Sequence, residues 1–191
     1  MIWICYFCIG DCIRKFSNRK SYMKLALVII APAGFQDHEL KGTRDGLMTG
    51  GFEVVLGSTI VGECTGKLGG KEVAEVALAD VNIADYDRVA FIGGPGAHAL
   101  WDDADALRIA REAVEAEKPL GAICIAPGIL AKAGVLKGKR ATIWNEDGGQ
   151  RVVMQEAGAT FTDESVTRDG LIVTANGPAA AGEFGRAFAA V

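Results

Sequence analysis

The stretch "KPLGAICIAPGILAKAG", residues 118–134, joins a short apolar run to a helix-like pattern through a single cysteine. "LGAICI" reads as a strand buried on both faces. Pro127 falls where a first helical turn tolerates a residue without an N–H, and Gly134 stops the helix. A strand passing directly into a helix is the repeating unit of parallel α/β sheets, and the flanking sequence repeats it.

Upstream, "KLALVIIA" (residues 24–31) is a continuous apolar run bounded by Pro32 and Gly34. "DHELKGTRDGLMTGG" follows as a helix, with Asp37 as its N-cap, Leu40 and Leu47 one heptad apart, and Gly50–Gly51 as the stop. "FEVVLGS" is the next strand, and Val61 to Val76 forms a small glycine-rich β-hairpin. "YDRVAFIGGPG" is again a strand entering a glycine turn. One long helix is predicted over "HALWDDADALRIAREAVEAEK", with Leu100, Leu107, Ile109, Ala110 and Val114 on one face.

After residue 134 come a strand "RATIWN", a helical "GGQRVVMQEAG", a β-rich "ATFTDESVTRDGLIVTANG" and a final helix "PAAAGEFGRAFAAV". The alternation predicts one α/β domain over residues 23–191. Its form is a three-layer sandwich with a mostly parallel central sheet, right-handed connections and a small β-hairpin.

The first 22 residues, "MIWICYFCIGDCIRKFSNRKSY", differ in kind and read as an N-terminal extension, a poorly ordered tail or a start placed too early. Their apolar-then-basic order is the reverse of a secretory signal. Cys5, Cys8 and Cys12 are spaced C-x2-C-x3-C, but no fourth ligand is nearby and His38 and His98 are the only histidines. An intact zinc site takes four ligands, so no metal is expected. Five cysteines without a paired framework point to a reducing, cytoplasmic setting. No apolar run approaches the roughly 20 residues needed to cross a bilayer. The net charge of −4 argues against nucleic acid as a partner.

In open parallel sheets, ligands gather beyond the carboxyl ends of the strands. "GFQDHE", "GGPGAH" and "CIAPG" all fall at that edge. Cys124 ends its strand, where a helix N-terminus would lower a thiol pKa and the next N–H, that of Ile125, would meet an oxyanion. The same pattern suits a cysteine filling a core slot. Glu39 in a first helical turn is either an ordinary helix-start acid or a buried one, kept protonated to donate to the sulfur. Gly93 and Gly94 permit close backbone approach or simply a tight turn. "GGPG" lacks the lysine and hydroxyl of a phosphate loop.

Phe35-Gln36-Asp37-His38-Glu39-Leu40, the strand ending in Ile92-Gly93-Gly94, and Ala122-Ile123-Cys124-x-x-Pro127 resemble the DJ-one/ThiJ/PfpI family. "TGKLGG", "AGVLKGKRAT" and "RDGLIVTANGP" support the likeness, which spans residues 24–191. The resemblance implies a flavodoxin-like sandwich related to class I glutamine amidotransferase domains, assembled as a homodimer or larger homo-oligomer. It implies Cys124 as a nucleophile on a strained elbow, Glu39 hydrogen-bonded to it, and an oxyanion site from backbone at Gly93, Gly94 and Ile125. It implies no cofactor, a small-molecule carbonyl substrate, and neither nucleic acid nor membrane as a partner.

The departures are specific. Peptidase-like members carry histidine directly after the nucleophile, and other members carry one after the following strand; here those places hold Ile125 and Trp144. His98 on the glycine turn is the better substitute, because helical neighbours point about 100° apart and His38 adjoins Glu39. Asn176 and Pro178 resemble the segment that closes over the family's site. Cys64 is expected at a surface or interface, and Phe35, Trp101, Trp144 and Phe184 either as core, the commoner place for aromatics, or as the lining of a pocket or dimer seam. The leading expectation is a stress-response enzyme acting on ketoaldehydes such as methylglyoxal by glyoxalase- or deglycase-type chemistry. The alternatives are a redox sensor or chaperone-like protein oxidised at Cys124, an intracellular cysteine peptidase, and an isocyanide hydratase.

Overall fold

Apolar side chains along residues 24–29 alternate between two cores: Leu27 and Ile29 enter one, Ala26 and Val28 the other. A strand buried on both faces must lie between two layers, and the computed structural model has that form. It describes residues 23–191; the N-terminal extension with Cys5, Cys8 and Cys12 lies outside the described residues.

In chain order the first half runs β1 (Lys24–Ile29), β2 (Ala33–Phe35), α1 (Asp37–Thr49), β3 (Phe52–Ser58), β4 (Gly62–Gly66), β5 (Lys71–Ala74), β6 (Val76–Ala77), β7 (Arg88–Phe91) and α2 (Ala104–Glu115). The second half runs β8 (Leu120–Ile123), α3 (Pro127–Lys132), β9 (Arg140–Ala141), α4 (Gly149–Glu156), β10 (Thr160–Phe161), β11 (Val166–Asp169), β12 (Ile172–Ala175) and α5 (Ala181–Ala189). The central sheet has the order β11-β12-β8-β7-β1-β3-β6, parallel except for the edge pair β11–β12. Leu40 and Leu47 of α1 pack with Phe184 and Phe188 of α5 on one face. Ile109 and Ala110 of α2 and Ile129 and Leu130 of α3 cover the other. The chain is a flavodoxin-like three-layer α/β sandwich. The hairpin β4–β5 is antiparallel, and β2 adds to it as a third strand, tying it to the end of β1.

Several local expectations give way to tertiary context. The long helix over residues 98–118 is split into a 3-10 segment at Pro95–Trp101 and α2. The Asp103 carboxylate accepts the Ala106 N–H at 2.8 Å and starts a new helix there. The buried face of α2 is consequently Ala106, Ile109, Ala110 and Ala113, while Val114 is exposed. Gln36, not Asp37, is the N-cap of α1, its side chain accepting from the His38 N–H. "RATIWN" contributes only the two residues of β9, paired with β10 outside the central sheet. Cys64 is fully buried, because alternation along β4 turns it and Gly66 inward.

Helices α1 and α5 cross at glycines. A Cβ on Gly46 would lie 2.3 Å from the Gly185 carbonyl carbon and 2.6 Å from its Cα. This matters for function because α1 carries Glu39. Glycine to alanine inside a helix ordinarily gains about 1 kcal/mol. Here the sign reverses: Gly46→Ala is expected to lower unfolding stability by about 1–3 kcal/mol, read as a lower urea midpoint at unchanged slope.

Candidate functional site

Beyond the carboxyl ends of β7 and β8, three backbone segments converge on one sulfur. Cys124 follows β8 with φ at +63°, a left-handed conformation that a non-glycine residue adopts at a cost of about 1–3 kcal/mol. The turn is over-determined. The Cys124 N–H donates to the Ala175 carbonyl at the end of β12 (2.8 Å), and its own carbonyl accepts the Trp144 N–H (2.8 Å). The Ala126 N–H closes onto the Ile123 carbonyl at 3.1 Å. The side chain is lifted out of the sheet at the point where α3 begins, and 8% of the residue is exposed.

Glu39 enters from α1 and is fully buried. Its Oε2 accepts the Gly93 N–H at 3.0 Å, while Oε1 meets no hydrogen-bond donor. The carboxyl lies against the Cys124 sulfur, the group with which it pairs. Burial pushes the Glu39 carboxyl up to about 7, opposed by Cys124, the Gly93 N–H and the charge of Lys67. A proton on Oε1 would turn an unpaired acceptor into a donor to sulfur.

Gly93 makes this meeting sterically feasible. A Cβ there would lie 2.6 Å from the Cys124 Cβ and 2.9 Å from Glu39 Oε2. Its N–H is committed to Glu39, while the N–H groups of Gly94 and Ile125 are both directed at the sulfur.

The helix N-terminus does not produce the lowered thiol pKa that the sequence suggests. Burial and then the negative charge of Glu39 push the thiol up to about 12, against the pull of the Gly94 and Ile125 N–H groups. A six-residue helix cannot outweigh a neighbouring carboxylate in a dry site. When Glu39 holds the proton that repulsion disappears, leaving burial opposed by the two backbone donors.

A pocket of about 430 Å³ opens onto Cys124 and Ile125. His98, Trp144 and Pro178 stand on its walls, as do Gln36, Lys67 and Glu146. His98 is exposed and stacks on Trp101 at 4.8 Å between ring centroids. His38 faces solvent on the outer side of α1. Asn176 lies in a neighbouring pocket of about 330 Å³ that shares Trp144 and Pro178 with the first.

Sequence reasoning missed two contributors. Trp101 donates its indole N–H to the Ile125 carbonyl at 3.1 Å and packs where a Gly128 side chain would be, so it fixes the peptide after the nucleophile. Lys67 reaches the pocket from the β4–β5 turn; "TGKLGG" marks a turn, but nothing local says what it faces. Among the described residues no group of three or more His, Cys, Asp or Glu is arranged to hold a metal, and no helix is long and apolar enough to cross a membrane.

The model of the DJ-1/PfpI family matches residues 24–191. An uncharacterised protein of Methanocaldococcus jannaschii is 36% identical over 177 residues, 91% of this chain and 86% of that one. The deglycase PfpI of Pyrococcus furiosus is 31% identical over 154 residues, 81% of this chain and 91% of its own. Among solved structures, a ThiJ/PfpI domain protein from Brachyspira murdochii superposes with a TM-score of 0.84 at 28% identity, covering 88% of this chain and 96% of that one.

The Glu39 environment has a measurable cost. A carboxyl near 4.5 when unfolded and about 7 when folded keeps its proton in the folded state across that interval. Stability is therefore full below pH 4.5 and falls as pH rises through 7. Relative to Glu39→Gln, the wild type is expected to lose about 2–3 kcal/mol over this window, measured by denaturant melts of both proteins from pH 4 to 8.

Proposed function

The chain belongs to the DJ-1/PfpI family, and we propose that within it the protein is a cysteine-dependent enzyme acting on reactive carbonyl compounds, of the deglycase or glyoxalase type. The carrying observation is the buried Glu39 carboxyl, held near neutrality against the Cys124 sulfur with one oxygen free of donors. An acid–base group works best with a pKa close to the working pH, and here one stands beside a nucleophile. Relatives named deglycases, 30–31% identical and matching 81% of this chain, favour the same substrate class.

The chemistry follows from these groups. With a ketoaldehyde, the Cys124 sulfur bonds to the aldehyde carbon as the thiol proton passes to Glu39. The alkoxide that forms is met by the Gly94 and Ile125 N–H groups and takes that proton from Glu39, which becomes a carboxylate again. Glu39 as carboxylate removes the proton from that carbon, and the electron pair forms an enediol with the neighbouring ketone. Glu39 returns the proton to the former ketone carbon, leaving a 2-hydroxy thioester. Water cleaves the thioester and regenerates the thiol. The aldehyde carbon is oxidised, the ketone carbon reduced, and one water consumed. Release of an amine or thiol from an early carbonyl adduct would use the same nucleophile and acid.

Ile125 occupies the place of a histidine and is itself buried, so Glu39 carries the proton transfers in this scheme. A small carbonyl compound fits the pocket volume. The two described cysteines, Cys64 and Cys124, are free thiols, in keeping with a reducing, cytoplasmic setting. A homodimer belongs to the same reading. Redox sensing is the second reading, favoured by the same N–H groups and acid, which would hold the oxygens of a sulfinate.

The deciding experiment is lactate formation from methylglyoxal by reduced protein. Turnover is expected in the wild type. Cys124→Ser should abolish it, and Glu39→Gln should reduce it by about 100-fold or more. Stoichiometric oxidation of Cys124 by peroxide without any turnover would replace the enzymatic reading with the sensor.

A further inference from the structure

Lys67 stands out among the charged groups around the pocket. It belongs to no ion pair among the described residues, whereas Lys71 at the other end of the same turn pairs with Glu63 and nearby Arg44 with Glu72. Its backbone is fixed: the Lys67 N–H donates to the Phe35 carbonyl at 2.7 Å, and the Gly66 N–H to the Gly70 carbonyl at 2.7 Å. The turn that carries it is clasped by one carboxylate. Asp37 accepts the Leu68 N–H on Oδ2 and the Gly70 N–H on Oδ1, each at 2.8 Å. It sits so close that a Cβ on Gly66 would lie 2.2 Å from Oδ1. Burial opposes ionisation of Asp37 slightly, but these N–H donors hold its carboxyl below the usual range. A solvent-facing turn held this firmly presents its lysine at the pocket wall.

We infer that the Cys124 pocket prefers reactive carbonyl compounds that carry a carboxylate, with Lys67 receiving the carboxylate and Asp37 positioning Lys67. Lys67 lies at the reacting end, since its charge acts on Glu39. Glu146 is the opposing charge on the pocket wall and, like Lys67, is exposed; Lys67 differs in being carried on a turn fixed by Asp37. The inference rests on the carbonyl-enzyme reading for its substrates, and its central measurement does not need turnover.

That measurement is the ratio of Cys124 alkylation rates with iodoacetate and iodoacetamide, which differ in charge and little in size. Lys67→Met is expected to lower the iodoacetate-to-iodoacetamide ratio about fivefold, the scale of one exposed charge pair, with most of the difference lost in about 1 M salt. Lys67→Arg should keep the ratio within about twofold of wild type. An unchanged ratio in Lys67→Met overturns the inference. Asp37→Asn separates positioning from bulk charge: removing an acid would by charge alone speed the anion, so a fall in the ratio supports positioning and a rise or no change overturns it.

In turnover, 4,5-dioxopentanoate going to 2-hydroxyglutarate is compared with methylglyoxal going to lactate. Lys67→Met should raise KM about fivefold for the anionic substrate alone, and an equal effect on both substrates counts against the inference. Absence of turnover on either substrate in the wild type would defeat the enzymatic reading, while the alkylation ratio still decides the role of Lys67.

Discussion

Cys124 is held in a left-handed backbone conformation, and the site depends on that one constraint. The residue cannot relax because its N–H is bonded to β12 and its carbonyl to the Trp144 N–H. Those two bonds come from separate downstream segments, at Trp144 and at Ala175, so the elbow exists only once the sheet and the loop before α4 are both in place. The strain then has a use. It turns the sulfur off the line of the strand and aims it at the space that Glu39 enters from α1.

Glu39 shows how the layers of the fold serve that geometry. Its helix is pressed onto α5 by glycines, which brings α1 close enough for a carboxyl to reach the strand ends. Burial raises the carboxyl, the Gly93 N–H holds one oxygen, and the other is left to the sulfur. Neither member of the pair has an ordinary acidity, chiefly because burial disfavours charge on both, and Glu39 raises the thiol further.

Much of this was legible in the sequence. Continuous apolar runs such as residues 24–29 can only be buried strands, and glycine or proline after each one marks the turns that gather at a single edge. Cys124, Glu39 and the glycines after β7 lie at such turns, so their meeting followed from the order of elements. The parts that were not legible depend on groups distant in the chain. Asp102 and Asp103 look like ordinary surface acids of one helix until Asp103 caps α2. Cys64 looks exposed until β2 joins the hairpin and closes its inner face. The thiol looked activated from its helix alone, and burial, then the charge of the neighbouring carboxylate, reverses the sign. Lys67 is 28 residues from Glu39 and 57 from Cys124, and it reaches the pocket on a turn that Asp37 clasps.

Trp144 divides its labour in a way that bears on how such a site can change. Its backbone N–H secures the elbow, and any residue except proline could supply that bond. Its side chain independently forms a wall shared by two adjoining pockets. Support and selectivity therefore reside in different atoms of one residue. The wall can be exchanged for a larger, smaller or titratable group with the strained turn beneath it intact. A position built this way allows a lineage to shift the compounds it accepts in single steps, each passing through a folded protein with its nucleophile still raised.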